Sequence, residues 1–124
     1  ARSPRTLVFG RMRAFAEDPD SRRRAMRQAA GTDPVDGIAA GTLLMTTTLF
    51  NQVGPFDERL LLGSFIEWYG RARLLGLETL VLPEVVAMRR IHDANFSTAM
   101  LRTHSYLPAL KAHLDRVRNV ASQR

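Results

Sequence analysis

The segment from residue 64 to residue 75 constrains the fold of this chain more than any other, because its apolar residues repeat with helical spacing. Phe65, Trp68, Ala72 and Leu75 fall on one stripe of a helix, and charged residues fall off it. Gly76 stands where a helix commonly ends in a left-handed glycine. Strand-like runs follow directly at 79–82 and 85–88. A helix set among strands indicates an α/β fold.

Shorter segments upstream continue this alternation. Apolar, β-prone residues predict strands at 6–9, with an extension to residue 15 as the longer alternative, and at 38–45. Helical patterns predict short helices at 21–30, with Ser21 as the N-cap, and at 46–53. The length suits one domain and leaves no room for two, so we treat residues 1–124 as a single domain.

The C-terminal part of the chain, residues 97–122, is helical in pattern. Ser105 is suited to cap the last helix, with Pro108 in its first turn. The apolar face of this helix consists of Leu107, Leu110, Leu114 and Val117. We therefore expect helices to flank a small sheet.

The composition limits the classes of partner and compartment. The net charge is +6, from 18 basic and 12 acidic residues, and a basic surface suits phosphorylated ligands, nucleic acid or anionic lipid. There are no cysteines, which excludes disulfides and thiolate zinc sites and fits a reducing compartment. No apolar run approaches the roughly 20 residues of a membrane span. We expect a cytoplasmic location and, since the first residue is not methionine, a piece of a longer protein.

A cluster of cationic and polar residues follows the strand predicted at 85–88. Arg89 and Arg90 can fork onto phosphate oxygens, and His92 can ligate a metal or move a proton. An ordinary basic loop explains the same residues about equally well.

Carboxylates occur at two further places. Asp57 and Glu58 follow a Gly-Pro helix stop and could bind the hydroxyl of an acceptor, or Asp57 could simply anchor a turn through backbone amides. Glu67 lies next to Trp68, where desolvation would favour a general base. The alternative for Glu67 is a surface pair with Arg71 four residues on. Trp68 could be a platform for a ligand, although its place on the apolar stripe favours the core.

Taken in order, five segments resemble the C-terminal half of a family-two glycosyltransferase with the GT-A fold. They are the G-T-L-L-M run at 41–45, F-x-x-V-G-P-F-D-E at 50–58, G-x-x-I-E-W-x-x-R-A-x-x-x-G at 63–76, L-P-E-V at 82–85 and R-R-I-H-x-x-N at 89–95. The resemblance covers about residues 38–98. It implies a partial GT-A fold, a small mixed sheet with flanking helices that lacks the N-terminal nucleotide-binding half.

The resemblance also implies a reaction and roles for residues. The reaction is inverting transfer of a sugar from a nucleotide-diphosphate donor to a hydroxyl acceptor. Ser64 and Phe65 stand where the family often has an acidic pair, so Glu67 is the substitute candidate for the catalytic base. The site residues expected are a base at Glu67, acceptor binding at Asp57, Glu58 and Trp68, diphosphate binding at Arg89 and Arg90, and a metal ligand at His92.

The resemblance further implies what this piece lacks. The complete enzyme would hold Mg²⁺ or Mn²⁺ on an Asp-x-Asp motif, which is absent at the family's position, so no cofactor is expected for this chain alone. A half-sheet would expose an edge and an apolar face, so we expect a homo-oligomer without transferase activity of its own. The alternatives are a basic nucleic-acid-binding module, disfavoured by the few aromatic residues, and a non-catalytic oligomerisation module.

Overall fold

A computed structural model describes residues 5–27, 33–92 and 105–124 of the chain. In these residues the elements are β1 (Thr6–Phe15), α1 (Pro19–Arg27), β2 (Val35–Asp36), a 3₁₀ helix (Ala40–Thr42), α2 (Thr47–Val53), α3 (Ser64–Leu74), β3 (Glu78–Arg90) and α4 (Leu107–Ser122). The mixed α/β class with flanking helices is confirmed. The part of the predicted C-terminal helices at 97–104 lies outside the described residues.

The described strands form one small mixed sheet in the order β2-β1-β3. β1 and β3 are parallel and pair along their whole length, from Thr6 opposite Glu78 to Phe15 opposite Arg90. β2 is short and antiparallel to β1. Parallel neighbours need a long crossover, which here contains α2 and α3.

The region predicted as two strands around Pro83 is one long strand, and this prediction was wrong. Val81 lies opposite Phe9 and Val85 lies opposite Arg11, so an irregularity in the register absorbs the residues around the proline. Proline lacks an N–H donor and is tolerated on a strand with a free edge. β3 is such an edge strand among the described residues.

The buried strand predicted at 38–45 was also wrong. A 3₁₀ helix occupies Ala40–Thr42, and only Leu44 joins the sheet, through paired backbone bonds of 3.0 and 2.8 Å with Val8. The Thr42 hydroxyl donates to the carbonyl oxygens of Gly37 and Ala39. These bonds close a local turn that competes with an extended backbone.

Glycines end the two helices that were predicted most directly. α2 ends at Gly54, whose φ is 91°. α3 ends before Gly76, whose φ is 77°, and the N–H of Leu77 reaches back to the Ala72 carbonyl at 3.1 Å. This 6→1 bond is the pattern expected when a left-handed glycine terminates a helix.

The first helix starts earlier than predicted. α1 begins at Pro19, and the Asp18 carboxylate accepts a hydrogen bond of 2.8 Å from the N–H of Ser21. Asp18 therefore caps this helix, not Ser21, and proline takes the first position, where an N–H is not needed.

The core lies between one face of the sheet and helices α2 and α3. Its buried members are Leu7, Phe9, Leu49, Val53, Trp68, Ala72 and Leu77. The predicted stripe of α3 is confirmed at Trp68 and Ala72, which have no exposed surface. It was wrong at Leu75, which follows the last residue of the helix and is 48% exposed.

Helix α4 packs on α3 through small residues. A Cβ atom at Gly63 would lie 2.7 Å from the Cβ of Ala109, and one at Gly70 would overlap His113. The axes of α3 and α4 can approach this closely only because Gly63 and Gly70 have no side chains. The predicted apolar stripe of α4 does not take part, since its four members are exposed by 39% to 69% (Leu107, Leu110, Leu114 and Val117).

The other face of the sheet carries exposed apolar residues, and we call it the open face. It is defined by Leu44, Leu80 and Val86, which are 65%, 38% and 55% exposed. Leu44 and Leu80 both pair with Val8, and Val86 lies over Gly10. Parallel strands are usually covered on both faces. The parallel pair of β1 and β3 is well covered on the core face only.

Candidate functional site

Glu67, the candidate base, lies in the first turn of α3 and has no exposed surface. Its carboxylate accepts hydrogen bonds of 3.0 and 3.2 Å from Nε and Nη2 of Arg71. This is the pairing at four residues' distance that the sequence offered as the alternative. It is buried, however, whereas the sequence suggested a surface pair.

A second guanidinium reaches the same carboxylate from another helix. Arg116 of α4 contacts Oε1 of Glu67. Arg71 also donates to the carbonyl oxygens of Val53 and Pro55, at 2.7 and 2.6 Å. We call Glu67, Arg71 and Arg116 the charge cluster. It joins α3, the end of α2 and α4 at one point.

Burial shifts the protonation equilibrium of one member of the charge cluster. Desolvation lowers the pKa of Arg71 from its ordinary value, partly opposed by the charge of Asp57. A buried carboxylate needs such partners, since an isolated one would be strongly destabilised. In this arrangement both oxygens of Glu67 are engaged and none is open to solvent.

Asp57, a candidate for acceptor binding, lies in the turn between α2 and α3. It accepts from the backbone N–H, Nε and Nη2 of Arg59 at 3.0, 2.9 and 2.8 Å. These bonds lower the pKa of Asp57 to about 2, with a smaller contribution from Arg116. Asp57 therefore lies near the charge cluster and anchors its own turn, while Glu58 beside it is exposed.

Trp68, the third candidate for acceptor binding, is part of the core. Its indole N–H donates to the Gly54 carbonyl at 2.8 Å, and its ring packs among Phe50, Phe56 and Phe65. With no exposed surface, the ring offers no face to a ligand in this arrangement.

The cationic candidates lie at the end of β3. Arg90 pairs with Glu17 at 3.2 Å and stands 5.7 Å from the ring centre of Phe15. Arg89 is exposed and His92 is half-buried. Between them Ile91 is buried and donates to the Phe15 carbonyl at 2.8 Å, which fixes the end of the strand.

The structure does not bring Glu67 and the arginines of β3 together. The ring of Phe65 on α3 contacts Phe9, whereas Arg90 lies opposite Phe15. Phe15 lies six positions along the strand from Phe9, or about 20 Å at roughly 3.3 Å per residue. The candidates thus form two groups. Glu67 belongs to the charge cluster and Asp57 lies near it, whereas Arg89, Arg90 and His92 lie at the end of β3.

Sequence reasoning missed Arg116. It sits three residues after His113 and seven after Ala109, on the side of α4 that faces α3. The sequence signal for Arg116 was this helical spacing from Ala109 and His113, the two residues that pack against Gly63 and Gly70. The predicted apolar face lies elsewhere on the helix and obscured it.

The described residues contain neither a group of side chains suited to a metal ion nor a helix suited to span a membrane. Across residues 5–27, 33–92 and 105–124, no three His, Asp or Glu side chains gather in a way that could hold a metal ion. Within the same ranges, no helix joins the length and the apolarity that crossing a bilayer requires. The segment after His92 that completes the family-like motif lies outside these residues.

Comparisons with known proteins identify no relative of this chain. No protein-family model, no curated protein and no solved structure matches the chain.

Proposed function

We propose that this chain is the acceptor-side portion of an inverting glycosyltransferase of family two, which moves a sugar from a nucleotide-diphosphate donor to a hydroxyl acceptor. The proposal starts from the five ordered segments in which the sequence resembles that family. The structural observation that supports it best is the open face.

The argument from the open face concerns sheet architecture. Parallel strands normally carry cover on both faces, because their crossovers place helices there. Here α2 and α3 cover one face, while Leu44, Leu80 and Val86 remain exposed on the other. A further layer of protein would bury these side chains, and the proposed N-terminal nucleotide-binding half is such a layer.

In this proposal the end of β3 faces the donor. Arg89 and Arg90 would contact the diphosphate, since guanidiniums bind phosphate oxygens through paired hydrogen bonds. Mg²⁺ or Mn²⁺ would be held largely by carboxylates of the other half, with His92 as the contribution from this chain. The described residues supply no group of three ligands by themselves.

The role of Glu67 as the base depends on the position of α4. Glu67 can take a proton from an acceptor hydroxyl only if α4 moves away, because the contact of Arg116 and its own burial close it off. Asp57 and Glu58 lie in a neighbouring turn and could orient that hydroxyl. The charge cluster also favours a second candidate, a non-catalytic oligomerisation module in which Glu67 serves only the fold.

The decisive experiment uses the longer protein that the proposal requires, in which a nucleotide-binding half precedes this chain. We expect sugar transfer from UDP- or GDP-sugars in the presence of Mn²⁺, and none from residues 1–124 alone. Glu67→Gln should abolish transfer if Glu67 is the base, measured at equal folded fraction because the variant is expected to weaken the fold. Glu58→Gln and His92→Ala probe the proposal outside the core, and Glu78→Gln is the matched exposed control.

The outcomes separate the two candidates. Loss of transfer in Glu67→Gln and His92→Ala, with normal transfer in Glu78→Gln, would support the enzyme. Full transfer in Glu67→Gln, Glu58→Gln and His92→Ala would show that these residues do not serve as base, acceptor-binding residue or metal ligand. No transfer by the longer protein with any nucleotide sugar, together with a stable oligomer of this chain, would favour the non-catalytic module.

A further inference from the structure

A cavity of about 530 Å³ lies where β1 ends and α1 begins. Its walls include Arg13 and Phe15 from the strand, Arg22 and Met26 from the helix, and Asp33 from the loop before β2. The carboxyl ends of parallel strands are the usual place for ligands in α/β sheets. The volume falls in the range of small-molecule sites.

Two guanidiniums border this cavity without a carboxylate partner among the described residues. Arg22 donates through Nε to the Ala16 carbonyl at 3.2 Å, and this bond holds the Arg22 side chain against the end of β1. Arg13 is exposed and lies on the same face of the sheet as Phe15, two residues on. Neither arginine takes part in the ion pairs of this region.

The nearby acids are mostly engaged elsewhere. Glu17 pairs with Arg90 at 3.2 Å, and Asp20 pairs with Arg23 at 3.3 Å. Asp33 is the one carboxylate that we find in the described lining of the cavity. The cavity therefore has an excess of positive charge.

The remaining wall of the cavity is apolar. One of its residues, Met26, is not packed into the core of the chain. Met26 is 77% exposed on a helix whose other described side chains are mainly charged. Phe15 is half-buried and belongs to the cavity lining. An apolar wall beside two guanidiniums matches a ligand with a phosphate at one end and a carbon skeleton at the other.

We propose that this cavity binds a small phosphate-bearing organic molecule. Arg13 and Arg22 contact the phosphate, and Phe15 and Met26 contact the organic part. Guanidiniums suit this task because their planar N–H groups match phosphate oxygens. The inference goes beyond the proposed function, because it concerns residues upstream of the family-like segments and would stand if the chain transferred no sugar.

The test is isothermal titration of the chain with phenyl phosphate and with inorganic phosphate, in chloride buffer. We expect phenyl phosphate to bind more tightly. Arg13→Gln and Arg22→Gln should each weaken binding of both probes about tenfold or more, as loss of a charge-assisted hydrogen bond does. Arg118→Gln, an exposed arginine on α4, is the matched control and should leave both unchanged.

A second variant tests the apolar wall. Met26→Gln should weaken phenyl phosphate and leave inorganic phosphate unaffected. Because Arg13, Arg22 and Met26 are exposed or border a cavity, their variants should keep the melting temperature of the parent chain. The proposal is overturned if neither probe binds, or if Arg118→Gln weakens binding as much as Arg13→Gln. These outcomes leave the test of sugar transfer untouched.

Discussion

The guanidinium of Arg116 on α4 lies against the carboxylate of Glu67 on α3, and Glu67 has no exposed surface. The contact crosses from the most strongly predicted helix to the last one. It makes the attachment of α4 depend on a buried charge, and it sets a structural role for Glu67 beside the proposed catalytic one.

Replacing Glu67 by Gln should destabilise the chain by about 3–5 kcal/mol, because two guanidiniums would lose their counter-charge in a buried place. Urea unfolding followed by circular dichroism measures this loss. Glu78→Gln, at an exposed glutamate, should change the free energy of unfolding by about 0.5 kcal/mol or less. Equal effects of the two substitutions would contradict a structural charge cluster.

Arg116→Met should loosen α4 selectively. The Glu67 carboxylate keeps Arg71, so the α3 pair persists while the link to α4 is lost. We expect faster amide hydrogen exchange in Leu107–Ser122 and little change in β1. Arg118→Met, on the exposed side of the same helix, provides the comparison and should leave the exchange of α4 as it is.

Gly70→Ala tests the close approach of α3 and α4. The added Cβ would overlap His113, and overpacking of this kind costs about 1–3 kcal/mol. Gly41→Ala is the matched control, because nothing lies within 4 Å of a Cβ built there. Combining Gly70→Ala with His113→Ala should recover part of the lost stability. A Gly70→Ala chain that melts like the parent would show that the helices can separate at no cost.

Asp57 should make the stability of the chain depend on pH in the acid range. Its pKa in the folded chain is about 2, against 3.8 ordinarily, mainly because of the hydrogen bonds from Arg59. A lowered pKa means that the stabilisation is present above pH 3.8 and is lost as the pH falls toward 2. Urea midpoints measured from pH 5 to about pH 2 should therefore fall less steeply in Asp57→Asn than in the parent. An Asp57→Asn curve that runs parallel to the parent curve would contradict this role of Asp57.

The open face should drive self-association of this chain. Leu44→Lys places a charge on a residue that is 65% exposed, so the fold should be unaffected while association weakens. Light scattering over a range of concentrations measures the mass. Leu110→Lys, on the exposed stripe of α4, shows whether association uses the helix instead. A parent chain that stays monomeric at high concentration would refute the expectation.

The features predicted correctly are those that neighbouring residues determine. The stripe of α3 and the glycines after α2 and α3 identify both helices, because helical spacing and left-handed glycines are local properties. β1 was recognised from its own apolar, β-prone residues for the same reason. The mixed α/β class follows from the order of these elements.

The failures arise where a side-chain hydrogen bond or a distant strand overrides the strand-like pattern of a segment. The 38–45 run has strand-like residues, but the hydroxyl of Thr42 closes a turn and only Leu44 reaches β1. Pro83 looked like an end of a strand, yet pairing with β1 carries β3 past it. Pairing of this kind depends on residues some 70 positions away, which a local pattern does not contain.

By itself the sequence determined the α/β alternation, the ends of α2 and α3, and a basic surface suited to anionic ligands. The tertiary structure alone decided which side of α4 packs, that Glu67 is buried between two guanidiniums, and that one sheet face stays exposed. The physical reason is that helix periodicity and capping act within a few residues. Burial and charge pairing depend on which surfaces meet, and here the small residues Gly63 and Gly70, not the leucines of α4, selected the contact.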